Sequence, residues 1–302
     1  MGCHRRIVMA DAIDELHSSK VLNGFQYMQP SDLSRVVGAN AENGGKPMNG
    51  EVGCGAYARL GIWVALVFSA LLLSSQPASA QFYVRSPDVE KGEFKLEEHG
   101  SVYSGRGTDE ARRQSHELEA KYGFTDRWEG IAEVTFRQNI GEDFKAKRVE
   151  LGAQYEIVER HGDGWGLAFR SLYEFALQSG DPGEILFGPL AKYVRGHDSL
   201  TANAFFIGQV GDHRDIDSLE FKFFWRAKHE FNEMWGIGVE GYSEIEDLSH
   251  TGSFDEQKHR VGPVAYLELE GMPEWEFAAG ALFGVSDATS DVTFKFDVEV
   301  EF

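Results

Sequence analysis

The final stretch, 291–302, constrains this chain more than any other. Val292, Phe294, Phe296, Val298, Val300 and Phe302 alternate without an error with Asp291, Thr293, Lys295, Asp297, Glu299 and Glu301. That is the period of two of a strand with one oily and one wet face. A helix would spread the same residues around its whole circumference, so a helix is excluded. A strand that carries charge at nearly every second position and ends on an aromatic ring suits a wall between lipid and water.

The same period recurs from Gln81 onward. Twelve runs of about ten residues are legible, over 92–104, 114–124, 128–138, 145–158, 164–178, 184–195, 199–210, 217–231, 235–246, 259–270, 275–286 and 291–302, the spacing of tilted transmembrane strands in a meander. The connections alternate in length. Those at 125–127, 160–163, 196–198, 232–234 and 271–274 are short, whereas those at 105–113, 211–216 and 247–258 are longer and polar. On these features the chain resembles the outer-membrane β-barrel proteins of Gram-negative bacteria, the porin-like class, which end in an amphipathic strand with a terminal aromatic. The turn Gly123-Phe-Thr-Asp-Arg-Trp128 is similar to turns common in such proteins. The resemblance implies an all-β fold, a closed antiparallel up-and-down transmembrane β-barrel of about 12 strands over 81–302. It also implies contact with outer-membrane lipid and recognition of the strand ending at Phe302 by the barrel-assembly machinery.

Aromatic placement points the same way. Trp128, Trp165, Trp235 and Trp275 each stand within two residues of a short turn, with Phe124, Phe231 and Phe302 at the same level. Tryptophan favours the membrane–water interface, where the ring is in oil and its N–H in water. These residues are expected to form the periplasmic aromatic girdle; the core of a soluble β-sandwich would scatter them along the strands. A mean hydropathy of −0.34 does not oppose a membrane, because a barrel hides its lipid face in every second residue.

Ahead of the strands, 60–73 is an apolar run preceded by Arg59 and followed by Ala78-Ser79-Ala80. It is too short for a spanning helix, which needs about 20 residues, and has the layout of a signal peptide over 48–80 cleaved after Ala80. Met48 stands at the right distance for the start. Residues 1–47 then form an N-terminal extension without readable structure or an artefact of start-site choice. Cys3 and Cys54 both precede the cleavage site, which removes disulfides and cysteine catalysis from the mature chain. A net charge of −20 excludes nucleic acid as a partner. No phosphate loop, zinc motif or nucleotide fingerprint occurs, so no cofactor and no metal are expected.

The inner face is readable from the alternation. It comprises Glu129, Glu133, Arg137, Glu150, Gln154, Glu156, Arg170, Glu174, Lys222, Arg226, Glu240, Glu244, Lys295, Asp297 and Glu299. If 232–234 is a turn, Arg226 lies opposite Glu240 and Lys222 opposite Glu244, away from Trp225, Val239 and Ile245, with Trp225 beside Gly241. Glu119 would face Glu133 and Glu268 would face Glu276, which is tolerable only where water or a cation screens the pair. Pro189 and Pro263 lack a ladder donor and are expected at a bulge or strand end.

These features predict a passive channel for small solutes or ions with an acidic, cation-preferring lumen and no enzymatic activity. The alternatives are a non-conducting structural or adhesion barrel, and an outer-membrane hydrolase pairing Ser101 with His116 across the first hairpin near the rim. The stretch 212–217, with Asp212, Asp215 and Asp217, lacks the glycine and distal glutamate of a calcium loop and reads as a solvated loop. Glu240→Gln is expected to spare the fold, whereas Val239→Arg should damage it.

Overall fold

The computed structural model describes residues 82–105, 112–212, 214, 219–271 and 273–302, all within one compact unit, Gly53–Phe302. The signal peptide assigned to 48–80 with its cleavage at Ala80, the extension 1–47, and most of the 212–217 loop lie outside the described residues.

Twelve strands follow one another: β1 (Phe94–Ser104), β2 (Arg112–Gly123), β3 (Trp128–Asn139), β4 (Lys145–Val158), β5 (Gly164–Ala176), β6 (Gly183–Arg195), β7 (Asp198–Val210), β8 (Leu219–Glu230), β9 (Trp235–Ile245), β10 (Lys258–Leu269), β11 (Glu274–Gly284) and β12 (Val292–Glu301). Each bound lies within two residues of the run read from the alternation. Every strand pairs antiparallel with its neighbours in sequence, and β12 pairs with β1, from Lys95 opposite Glu301 to Ser104 opposite Val292, closing the barrel. Closure removes both edges, so the strands keep their backbone groups paired without water. Among the described residues no helix is long and apolar enough to cross a membrane; in this fold the strands are the elements that cross.

Turn chemistry sets the level of the tryptophans. The Thr125 hydroxyl accepts from the amides of Arg127 (3.2 Å) and Trp128 (2.9 Å). Asn232 Oδ1 accepts from Met234 (2.9 Å) and Trp235 (3.0 Å). These are local side-chain turns that start the next strand on its aromatic residue. Trp128, Trp165 and Trp235 are about half exposed, as are Phe124, Phe231 and Phe302, while Trp275 is half-buried. They stand at the end that holds the short turns, called here the turn end. Several lean on a ring of the next strand: Trp128 on Tyr155 at 4.7 Å and Trp165 on Tyr193 at 5.0 Å.

The β8–β9 hairpin has the anticipated register: Arg226 opposite Glu240, Lys222 opposite Glu244 and Trp225 opposite Gly241. The prolines do not behave as expected. Pro189 and Pro263 sit in mid-strand, and the register on either side is unchanged, Phe187 opposite Phe206 and Leu190 opposite Asn203, Val261 opposite Phe283 and Val264 opposite Gly280. No bulge absorbs them. Each follows a glycine, Gly188 and Gly262, on which a Cβ would lie 1.8 Å from the Ala204 carbonyl oxygen or 1.9 Å from that of Ala281. The missing side chain lets the neighbouring backbone close in where the proline has no N–H, so the ladder is interrupted for two residues and resumes in step. Register shifts occur elsewhere, between Arg112 and Gln114, Thr135 and Phe136, and Glu156 and Val158.

Candidate functional site: the lumen and the segment inside it

Of the residues assigned to the inner face, Glu129, Glu133, Glu150, Gln154, Glu156, Arg170, Glu174, Glu240, Glu244, Lys295 and Asp297 are buried, and Arg137, Lys222, Arg226 and Glu299 are half-buried. Contacts between strands that are not neighbours cross the interior. Lys295 Nζ of β12 lies 2.6 Å from Glu240 of β9, and Arg170 Nη1 of β5 lies 3.2 Å from Glu119 of β2.

Register arranges the acidic groups in a way no single hairpin discloses. Glu268 faces Glu276, Glu276 faces Glu299, Glu299 faces Glu97, and Glu97 faces Glu119. Glu119 faces Glu133, Glu133 faces Glu150, Glu150 faces Glu174, and Glu174 faces Glu184. One glutamate per strand thus runs unbroken from β10 through the closure to β6. Neighbouring strands stand about 4.8 Å apart, which sets the spacing of the carboxylates. Strand tilt turns this row into a spiral stair: Glu268 is the penultimate residue of β10 at the turn end, and Glu184 the second residue of β6 at the loop end.

So many facing carboxylates require cations, and the wall supplies them in sequence. Lys228 bonds Glu268 and lies 3.9 Å from Glu276. Lys95 is 3.1 Å from Glu299, and Lys121 pairs with Glu97. Arg148 Nη1 donates to Glu174 at 2.6 Å and Glu184 at 2.9 Å. The pairs Glu268–Glu276 and Glu119–Glu133, expected to need screening, are each met by a basic group.

At the centre Arg170 of the wall, 2.5 Å from Glu119, shares that role with a group from outside the wall. Residues 82–90, absent from the strand pattern, enter the lumen from the turn end. Phe82 and Val84 are buried against the inward Ala168, Leu190, Phe205, Phe224, Tyr242 and Leu282. The Phe82 ring meets Tyr242 edge-on at 5.1 Å and lies under the Arg260 guanidinium at 4.7 Å. Tyr83 stacks on His99 at 3.8 Å and donates to Glu299 at 3.3 Å. Arg85 Nη2 bonds Glu117 and reaches Glu119 at 3.3 Å and Glu133 at 3.4 Å. Asn203 clamps the Arg85 backbone, accepting from its amide (2.7 Å) and donating to its carbonyl (2.9 Å). Asp88 accepts from Lys192 at 2.7 Å and Arg160 at 3.0 Å, and the Gly92 amide donates to the Gly123 carbonyl at 2.8 Å. The middle of the lumen is therefore filled in this conformation. Towards the loop end it widens into adjoining cavities of about 280 and 270 Å³ that share Arg137, Arg148, Glu184 and Gln209.

Sequence reasoning missed this segment, although two signals were present. Phe82-Tyr83-Val84 is unusually apolar for a tail, and Glu117, Glu119 and Glu133 together carry more charge than the wall's Arg170, on Glu119 and Glu133, offsets. The Ser101–His116 pair is not formed. Ser101 lies opposite Ser115, whereas His116 lies opposite Gly100, so the two side chains leave on opposite faces. His116 instead pairs with Glu98 on the outer face, edge-on to Phe144 and Phe296. The geometric basis of a hydrolase at that hairpin is lost.

No family model matches the sequence, and no curated protein does. Solved structures do match in fold. An outer-membrane channel from Pseudomonas putida F1 aligns with TM-score 0.54 and 8% identity, over 74% of this chain and 100% of that one. The KdgM porin, solved in complex with disordered oligogalacturonate, aligns with TM-score 0.47 and 9% identity over 69% and 98%, and the NanC porin with TM-score 0.46 and 13% identity over 68% and 98%. The fold is that of a porin-like outer-membrane β-barrel.

Proposed function

We propose that this chain is a passive outer-membrane channel for small solutes or ions with a preference for cations, exported by a cleaved signal peptide and assembled through the strand that ends at Phe302. The observation that carries the reading is the stair of nine glutamates, Glu268 to Glu184, that climbs the lumen from one end to the other. Once the segment 82–90 leaves room for water, a row of fixed carboxylates between low-dielectric walls focuses a negative potential and concentrates counter-ions along it. The basic side chains set between the carboxylates keep each site shallow, the condition for an ion to leave as readily as it enters. The fold relationship to a bacterial outer-membrane channel supports the class; the acidic stair supports the sign of the selectivity.

Reconstitution in planar bilayers under a potassium chloride gradient tests the reading. Discrete steps with a reversal potential on the cation side are expected. Steps with anion preference would refute the selectivity. Absence of steps, both in the full chain and after deletion of 82–88, would leave a structural or adhesion barrel.

A further inference from the structure

The central carboxylates are met in part by a group that belongs to no strand of the wall. Glu117, Glu119 and Glu133 bring carboxylate oxygens within 4.8 Å of one another. Two guanidinium groups meet them: Arg170 from the wall, on Glu119 and Glu133, and Arg85 from the entering segment, on all three. Withdrawing the segment would remove the one guanidinium that touches all three carboxylates, leaving Arg170 on Glu119 and Glu133 and Lys121 at 3.9 Å from Glu119. Removing one partner of a buried ion cluster is strongly unfavourable. A cation that takes the place of Arg85 therefore favours withdrawal of the segment. The segment's other ties to the middle of the barrel are the Asn203 clamp, the Gln154 amide on the Ser86 carbonyl at 3.1 Å, the Tyr83 hydroxyl on Glu299 at 3.3 Å and the buried side chains of Phe82 and Val84, while Asp88 and Gly92 hold it at the turn end. Those contacts describe a latch at Arg85 and a hinge at 88–92.

We infer that Glu117, Glu119 and Glu133 form a guanidinium-binding subsite of the lumen that the chain's own Arg85 fills in the closed state, so that a guanidinium-bearing solute displaces the segment and opens the channel. The inference rests on the channel reading for its consequence, not for its binding step. The occupant already seated there identifies the ligand class: Arg85 is only 9% exposed, and a single guanidinium nitrogen, Nη2, serves all three carboxylates. The arginine Nε is buried without a hydrogen-bond partner among the described residues, so the contacts come from the tip of the fork, the part that a free guanidinium compound presents.

The test uses the chain from Gln81 to Phe302 in detergent micelles, which holds no cysteine of its own, with Ser86→Cys as the reporter thiol. Maleimide labelling of that thiol reports withdrawal of the segment. Millimolar agmatine should accelerate labelling at least five-fold over potassium chloride of equal ionic strength. Glu117→Gln should blunt the response. Arg85→Ala should label fast without agmatine and bind agmatine by calorimetry, where the protein with Arg85 in place binds it more weakly. Labelling indifferent to agmatine, or raised equally by calcium chloride or putrescine, would overturn the guanidinium subsite, as would an Arg85→Ala protein as protected as the parent. Bilayer recordings separate the two readings: agmatine-dependent labelling without conductance would sink the channel and keep the subsite, whereas conductance blind to agmatine would do the reverse.

Discussion

Replacing Glu240 by glutamine tests the interior packing directly. Glu240 is 1% exposed. It accepts from the Tyr266 hydroxyl at 2.8 Å, from Lys295 Nζ at 2.6 Å and from the Tyr242 hydroxyl. A glutamine keeps one acceptor oxygen and turns an NH2 towards a donor, so one charged hydrogen bond is lost. Bonds to charged groups contribute about 1.5–3 kcal/mol. The cost stays below the ~3–5 kcal/mol of a fully orphaned buried charge, because Lys295 retains Asp297 at 2.8 Å. The alternation alone made this substitution look harmless; the convergence of three donors from β9, β10 and β12 on one carboxylate makes it costly. Urea unfolding from lipid vesicles, followed by tryptophan fluorescence and by heat-modifiable gel migration, measures it. A cycle with Lys295→Met should return a coupling energy above about 1 kcal/mol, since the two groups share one contact. Glu240→Gln within about 0.5 kcal/mol of the parent, or additivity in the cycle, would refute the hub.

Val239 lies on the outer face, 42% exposed, between Ala227 and Pro263; arginine there should cost about 2–4 kcal/mol of barrel stability near the bilayer midplane, and unchanged urea unfolding would mean that the faces are reversed. Gly262→Ala places a Cβ 1.9 Å from the Ala281 oxygen, so assembled barrel on gels should fall sharply, while Ala265→Gly, on the exposed face of the same strand, should not reduce it as far. Lys228→Met strips the cation from Glu268 and Glu276; it should destabilise more at low ionic strength than at high, because salt reaches the half-buried carboxylate pair and screens its repulsion, and salt-independent unfolding would contradict that account.

Much of this protein is legible residue by residue. Side chains alternate across a strand with a period of two, so the exposure of Val239 and the burial of Glu240 follow from local sequence alone. Turn residues such as Thr125 and Asn232 mark where strands begin, and a short turn dictates its hairpin register, as at Arg226 and Glu240. Other features needed the closed barrel. The glutamate stair depends on eight successive registers, the β1–β12 closure among them, and strand tilt and shear are properties of the whole ring. The segment 82–90 has no periodic signature because its partners, Glu117, Asn203 and Tyr242, lie on strands far apart in sequence. Alternation carries the choice between lipid and lumen at each position; which inward residues meet across the lumen, and that Arg85 lies among them, is decided only when twelve tilted strands close around a common axis.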